Sequence, residues 1–158
     1  MLSVLYLSCS QKQEENDIEI IIEEPQSYKY DLTQRVFTTY YMTKPKIEVK
    51  FKLSEDEESA IKKKYYDLKI YEINKINNIT GNTLIDDDCG TMPKFYTIIK
   101  IKKPASSQEI QIDKSCDNFY LSNFVIAHRI KEFIKIVTDI LQSKPEIENV
   151  PKSDIIYM

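Results

Sequence analysis

Short stretches of alternating hydrophobic and polar residues recur in the first half of the chain. The clearest is residues 47–53, where Ile47, Val49, Phe51 and Leu53 alternate with charged or polar side chains. A period of two places these four apolar side chains on one face of an extended chain. The pattern predicts a half-buried antiparallel strand.

Two other stretches, residues 17–24 and 36–41, are rich in β-branched and aromatic residues and also predict strands. Pro25 ends the first of them, because proline cannot donate a hydrogen bond to a neighbouring strand. The turn Thr43-Lys44-Pro45 separates the second from residues 47–53.

A pair of strands is predicted further along the chain. Residues 95–103 and 108–113 carry β-branched residues among polar ones. The stretch Pro104-Ala105-Ser106-Ser107 lies between them and has the polarity and length of a hairpin turn. We therefore predict an antiparallel hairpin here.

A first helix is predicted to begin after Ser54. Ser54 and Glu57 match the capping box, in which each side chain pairs with the backbone amide of the other residue. Ile61, Tyr65 and Leu68 then repeat at helical spacing. The charged side chains around them are expected to form a solvated face.

A second helix is predicted from Leu121 to about Ser143, with Pro145 ending it. Its apolar stripe consists of Ile126, Ile130, Phe133, Ile134, Val137, Ile140 and Leu141. At 100° per residue, His128 falls on the opposite face. We expect this single histidine to be exposed and not to be a catalytic base.

These elements predict a single α+β domain over residues 18–158, with a small antiparallel sheet packed against two helices. A chain of 158 residues with 42% hydrophobic content can bury one core. Residues 70–79 fit either a helix extension or a loop, and residues 81–93 are expected to form a surface loop. The tail after residue 149 either docks on the body or is frayed.

Composition excludes several functions. The net charge is −3, and Arg35 and Arg129 are the only arginines, so nucleic acid is not an expected partner. The two glycines, Gly81 and Gly90, provide no glycine-rich phosphate loop. No apolar run approaches the ~18 residues of a membrane span. We expect no cofactor.

The N-terminal segment has the pattern of a targeting signal. Residues 1–9 form a short apolar run that ends in Ser8 and Cys9, and a polar linker follows to residue 17. This segment resembles the lipobox of bacterial lipoproteins, in which a small residue precedes the cysteine that is lipidated and becomes the new N-terminus. Residues 1–8 would then be a truncated signal segment, with the true start upstream of Met1.

The resemblance implies a lipid anchor on Cys9 in the bacterial cell envelope, facing the periplasm or displayed on the outer surface. The alternative is an ordinary N-terminal segment that contains a cysteine, in which case the protein is cytoplasmic.

The two other cysteines, Cys89 and Cys116, form an even pair once Cys9 is lipidated, which suits a disulfide in an oxidising compartment. Such a bridge would stabilise the fold by roughly 3–4 kcal/mol. Two reduced buried thiols, or half of a metal site, are the alternatives. Zinc is not expected, because the chain has no CxxC pair and contains a single histidine.

Two function classes compete. The first is a lipid-anchored binding or accessory protein without catalytic activity, with a protein partner, of which an immunity-type toxin inhibitor is one version. Tyr40-Tyr41 and Tyr65-Tyr66 favour it, because tyrosine supplies amphipathic contact area, although these rings can equally cover the edges of the core.

The second class is a hydrolase that uses two loop carboxylates, one with a pKa raised by burial. Its candidate residues are Asp86, Asp87, Asp88, Asp113 and Asp117. The three adjacent aspartates do not follow the calcium-loop pattern, so no metal site is expected.

Overall fold

The computed structural model describes residues 18–73, 83–84, 96–113 and 121–155, and for residues 83–84, Asp113 and residues 121–124 it describes the backbone alone. Its strands are β1 Glu19–Glu24, β2 Tyr28–Asp31, β3 Val36–Thr39, β4 Ile47–Lys50, β5 Thr83–Leu84, β6 Tyr96–Lys103 and β7 Ser106–Asp113. The helices are α1 Glu55–Asp67, α2 Leu121–Gln142 and the short α3 Pro145–Glu148, and a 3-10 helix covers Ile70–Glu72.

The strands form one sheet with the order β4-β3-β2-β1-β6-β7-β5. Strands β1 to β4 are neighbours in sequence and in space, because short turns connect them into an antiparallel meander. The hairpin of β6 and β7 joins this meander through antiparallel pairing of β6 with β1. Strand β5 pairs in parallel with β7.

One face of the sheet, the inner face, carries the core. Cross-strand pairing places Ile110, Ile99, Ile22, Tyr30 and Phe37 in one continuous buried row. Helices α1 and α2 bury their apolar stripes in the same hydrophobic cluster. The α+β prediction, an antiparallel sheet packed against two helices, is therefore confirmed.

Helix α1 is fixed at both ends by hydrogen bonds. Its predicted capping box is confirmed: the Glu57 amide donates to the Ser54 hydroxyl at 3.2 Å, and the Ser54 amide donates to the Glu57 carboxylate at 2.8 Å. At the other end, the Arg129 guanidinium on α2 donates to the carbonyl oxygens of Leu68 and Lys69. These carbonyls lie at the helix end, where they have no intrahelical partner.

Helix α2 matches its predicted range and orientation. Five residues of the predicted stripe are buried and the other two are partly buried against the core. The His128 side chain is 69% exposed, and its Nε2 lies 3.9 Å from a carboxylate oxygen of Glu132, one turn further on. The prediction that His128 is exposed is confirmed.

Several boundaries differ from the sequence prediction. Strand β2 was not expected, because its four residues form a short segment between two turns. Strand β4 ends at Lys50, although the alternation of burial continues to Leu53. The hairpin turn is Pro104-Ala105 alone, since Ser106 already pairs with Lys103.

The region predicted as a surface loop, residues 81–93, contains strand β5. The expectation of a loop is wrong for its two residues, which pair with Gln111 and Ile112 of β7. The rest of that region lies outside the described residues. Residues 70–79 were expected to form either a helix extension or a loop. Of these, residues 70–72 form the 3-10 helix.

Candidate functional site

The inner face is polar near one end of its strands and apolar elsewhere. The pairing of Glu24 with Tyr28, and of Tyr28 with Thr39, places these side chains in a row that continues from Thr97 on β6. We call these four residues the polar row. They lie on the inner face because each is two residues along its strand from a buried core residue.

Three members of the polar row are linked by hydrogen bonds. The Tyr28 hydroxyl donates to the Glu24 carboxylate at 2.7 Å, and the Thr97 hydroxyl lies 3.5 Å from the same carboxylate oxygen. The Glu24 carboxylate thus has partners on both sides. Burial, followed by the hydrogen bond to Glu24 and its negative charge, raises the pKa of Tyr28, so its hydroxyl stays protonated at neutral pH.

The fourth member, Thr39, is different. It is 3% exposed, and its hydroxyl oxygen has no hydrogen-bond partner among the residues that the structure describes. A buried hydroxyl without a partner costs about 1–3 kcal/mol, and most buried polar groups in proteins are paired. The Thr39 hydroxyl therefore retains an unused capacity to donate and to accept.

Thr39 lines a cleft of about 540 Å³, which we call the C-terminal cleft. Its floor is formed by Tyr28, Tyr30, Phe37 and Thr39 on the inner face. Its walls are the C-terminal end of α2, helix α3 and the segment that follows α3. Pockets that bind small molecules usually measure about 300–1,000 Å³.

The floor of the cleft is largely aromatic. The Tyr30 and Phe37 rings are stacked with centroids 4.7 Å apart, and the Tyr28 ring lies 5.0 Å from that of Tyr30. Burial raises the pKa of Tyr30, although a hydrogen bond from the Gln142 side chain opposes the increase. Both tyrosine hydroxyls are thus neutral at physiological pH.

Residues 150–155, which we call the strap, form one wall of the cleft and dock on the loop between β3 and β4. The Met42 amide and the Thr43 hydroxyl donate to the Asp154 carboxylate at 2.8 and 2.6 Å. The Ser153 hydroxyl donates to the Tyr40 carbonyl at 2.7 Å. The tail after residue 149 was expected either to dock on the body or to be frayed. Residues 150–155 dock on the body.

The Asp154 carboxylate is the centre of this attachment. The hydrogen bond from Thr43, and then that from the Met42 amide, lower the pKa of Asp154 below its ordinary value. Asp154 is exposed, so the strap is held at the surface by hydrogen bonds.

Two other hollows offer less to a ligand. One of about 150 Å³ is lined by Arg35 and Glu58, which form an ion pair with each other. The other, of about 450 Å³, lies on the outer face of the sheet beside the ion pair of Lys102 with Glu19. In both hollows, these charged side chains already pair with an opposite charge of the same chain.

No protein-family model, curated protein or solved structure matches this chain. The geometry of the described residues therefore carries the functional argument alone.

Most of the predicted site residues lie outside the described part of the chain. They are Cys9, Cys89, Cys116, Asp86, Asp87, Asp88 and Asp117. Asp113 ends β7, but its side chain is not described. The lipidation of Cys9, the disulfide of Cys89 with Cys116 and the carboxylate pair of a hydrolase stay predictions.

The described residues contain no group of three or more histidine, cysteine, aspartate or glutamate side chains placed to hold a metal ion. None of the helices in that part of the chain is long and apolar enough to cross a membrane.

The predicted tyrosine pairs have two different roles. Tyr65 is buried in the core, and its ring lies 5.1 Å from that of Tyr66, with the Lys103 ammonium 5.0 Å from the Tyr65 ring centroid. In the other pair, the Tyr41 hydroxyl donates to the Pro151 carbonyl, and the backbone carbonyl of Tyr40 accepts from the Ser153 hydroxyl, so both bonds hold the strap. The reading of Tyr65 as core therefore holds, while the other pair stabilises a wall of the cleft.

Sequence reasoning missed the floor of the cleft. Tyr28 and Tyr30 alternate with Lys29 and Asp31, a signal for a short strand with an aromatic face. Glu24 continues the period of two set by β1, so it was detectable as an acid on the core face. The missing partner of Thr39 had no signal in the sequence, because it depends on what the fold brings near.

Proposed function

We propose that this chain is a binding protein without catalytic activity, and that the C-terminal cleft is where it holds a ligand. The observation that carries the proposal is at Thr39, a residue that lines the cleft and whose buried hydroxyl has no partner among the described residues. A ligand group in the cleft would supply that partner.

The volume of the cleft supports this proposal. About 540 Å³ falls within the range of small-molecule sites, and the lining combines apolar and aromatic side chains with polar ones. The residues on the floor come from strands β2 and β3. The floor is therefore a rigid part of the molecule.

A fragment screen by NMR on the full 158-residue chain tests the proposal. Fragments that bind are expected to perturb the amide signals of Tyr30, Thr39, Ile147 and the strap together. If the fragments that bind instead perturb the outer face of the sheet, or if none perturbs these signals, the cleft is not the binding site.

We also propose that the protein is exported and anchored in the bacterial envelope by lipid on Cys9, on the basis of the segment that resembles a lipobox. A Cys9→Ser variant should move from the membrane fraction to the soluble fraction, because the anchor depends on that side chain. An Asp17→Asn variant, in the polar linker, is the control and should stay in the membrane fraction. If Cys9→Ser fractionates like the wild type and no lipid label is found, the anchor proposal is wrong.

A protein partner in the envelope remains part of the proposal, including the version in which the chain inhibits a toxin. In that version, one partner should co-purify with the wild type in defined stoichiometry. The hydrolase alternative gains no support from the described residues.

A further inference from the structure

We propose that the C-terminal cleft takes an uncharged small molecule with a flat apolar body and one hydroxyl or carbonyl group, and that this group pairs with the Thr39 hydroxyl. The inference rests on the proposed function and specifies the chemistry of the ligand. Three features of the cleft support this ligand chemistry. They are the charged groups around the cleft, the shape of its floor and the position of the Thr39 hydroxyl.

The first feature is charge. Beside the floor, the Glu24 carboxylate already accepts from Tyr28. Both floor tyrosines have a raised pKa and stay neutral. At the rim, Glu148 and Lys152 have opposite charges and are exposed, so water and salt screen them. A charged group at Thr39 would lose its hydration without meeting an opposite charge, which is strongly unfavourable. An uncharged ligand avoids this penalty.

The second feature is shape. The Tyr30 and Phe37 rings are stacked on the floor and are 2% and 8% exposed, so they become accessible to a ligand when the strap moves outward. Ile147, Val150 and Ile155 provide apolar area on the opposite walls. A flat apolar body between them would bury hydrophobic surface on both sides, and contact between aromatic rings adds to this burial.

The third feature is the position of the unpaired hydroxyl. Thr39 pairs with Tyr28 on the neighbouring strand and is the last residue of the polar row. A hydroxyl can donate one hydrogen bond and accept others, so it suits either a hydroxyl or a carbonyl group on the ligand. Because the Thr39 hydroxyl is buried, the ligand reaches it when the strap moves outward.

The strap is suited to such movement. Val150 packs against the core at its beginning. The residues after it are attached through hydrogen bonds from an exposed loop to Asp154, from Ser153 to Tyr40 and from Tyr41 to Pro151, and these can break and re-form without disturbing the helices. Binding segments are commonly drawn from the parts of a protein with low local stability. The strap would close again over the bound ligand.

The test uses two probes with the same naphthalene body, 2-naphthalenemethanol and 2-naphthoate, titrated into the full chain and followed by NMR. The alcohol should bind at the cleft with a Kd of about 1 mM, as expected for a fragment with twelve non-hydrogen atoms. The naphthoate anion should bind at least ~10-fold more weakly, because its charge has no partner at Thr39.

The variants are Thr39→Val, which removes the hydroxyl while keeping the shape, and Thr38→Val as the matched control. Thr38 is the adjacent residue, 4% exposed, and its side chain points to the outer face. Thr39→Val should weaken binding of the alcohol by about fivefold, the usual effect of one hydrogen bond. The same variant should keep or raise the melting temperature, because it removes a buried polar group without a partner. Thr38→Val should leave the affinity unchanged within twofold.

The two proposals can fail separately. If other fragments bind at the cleft but the naphthyl alcohol does not, or if the naphthoate binds equally well, the ligand class is wrong and the site stands. If Thr39→Val binds the alcohol like the wild type, the role of Thr39 is wrong. If Thr39→Val lowers the melting temperature, its hydroxyl has a structural partner and the inference is overturned. If no fragment perturbs the cleft, the proposed function fails with it.

Discussion

The inner face of the sheet is closed in two different ways along its width. Over β1, β6 and β7, the apolar stripes of α1 and α2 pack directly on buried isoleucines. Over β2 and β3, the covering elements are the end of α2, the short α3 and the strap, and a cleft of about 540 Å³ remains between them and the floor. We call these regions the helix side and the strap side.

The difference shows how one small fold can combine stability with an accessible site. Close packing on the helix side leaves a hollow of about 150 Å³ beside β1 and α1, which is smaller than a usual ligand site. On the strap side, polar residues extend onto the inner face and a wall is held by surface hydrogen bonds. Stability is therefore expected to come mainly from the helix side and binding from the strap side.

The largest expected effect compares the same substitution on the two sides. Phe133 on α2 is 0% exposed, with its ring centroid 6.2 Å from that of Tyr65. Phe133→Ala should lower the free energy of unfolding by about 3–5 kcal/mol, because it creates a closed cavity. Phe37→Ala, at the floor of the cleft, should cost at least ~1 kcal/mol less, since space beside it is already open. Equal losses in urea unfolding would contradict the comparison.

A medium effect is expected at the ion pair that joins α1 to the turn between α2 and α3. The Lys144 ammonium donates to both carboxylate oxygens of Glu57 at 2.5 and 2.6 Å. Glu57→Gln should lower the free energy of unfolding by about 1 kcal/mol, through the weakened pair and the weakened cap. Glu55→Gln, an exposed residue in the same helical turn, is the control and should change it by less than ~0.5 kcal/mol.

The same pair predicts a pH dependence. The hydrogen bond from Lys144, and then that from the Ser54 amide, lower the pKa of Glu57 below its ordinary value of 4.5. A lowered pKa in the folded state means that this stabilisation is complete above about pH 4.5 and is lost as the pH falls through the folded value. Glu57→Gln should therefore show a smaller loss of stability between neutral and acidic pH than the wild type. An identical acid dependence would exclude the pair as its source.

A smaller effect on stability is expected at the attachment of the strap. Asp154→Ala removes the acceptor of the Met42 amide, so this amide should exchange its hydrogen much faster, with a small shift in melting temperature. Asp139→Ala, which removes an exposed ion pair on α2, is the control and should leave the exchange of the Met42 amide unchanged. If the amide of Met42 stays protected in Asp154→Ala, Asp154 does not hold the strap.

The smallest effect is expected at a position outside both sides. His128 faces solvent on α2, so His128→Ala should change the free energy of unfolding by less than ~0.5 kcal/mol and should leave fragment binding at the cleft unchanged. A thermal melt and one NMR titration check both expectations. A large loss of function with an intact fold would instead indicate chemistry at His128.

The helix side could be predicted from the sequence because its signals are local and periodic. The capping box of Ser54 and Glu57 and the apolar stripe of α2 each follow from spacing within one element. The alternation of residues 47–53 likewise reports burial on one face, and it does so even where the strand itself has ended.

The strap side could not be predicted because its geometry depends on contacts between distant segments. The bond of the Met42 amide to Asp154 joins residues separated by 112 positions, and nothing near either residue indicates the partner. The cleft floor was partly detectable through the alternation of Tyr28 and Tyr30. Its unpaired hydroxyl was not, because whether a polar group has a partner is a property of the assembled fold.

The sheet topology also has a consequence for the order of folding. The meander of β1 to β4 pairs segments close in sequence, which is entropically inexpensive and fast. The bonds between the strap and the loop after β3 span 110 to 113 residues, so they are expected to form after the core has brought both segments together. The floor of the cleft would thus exist before its wall, and a ligand present during refolding would meet an open site that closes around it.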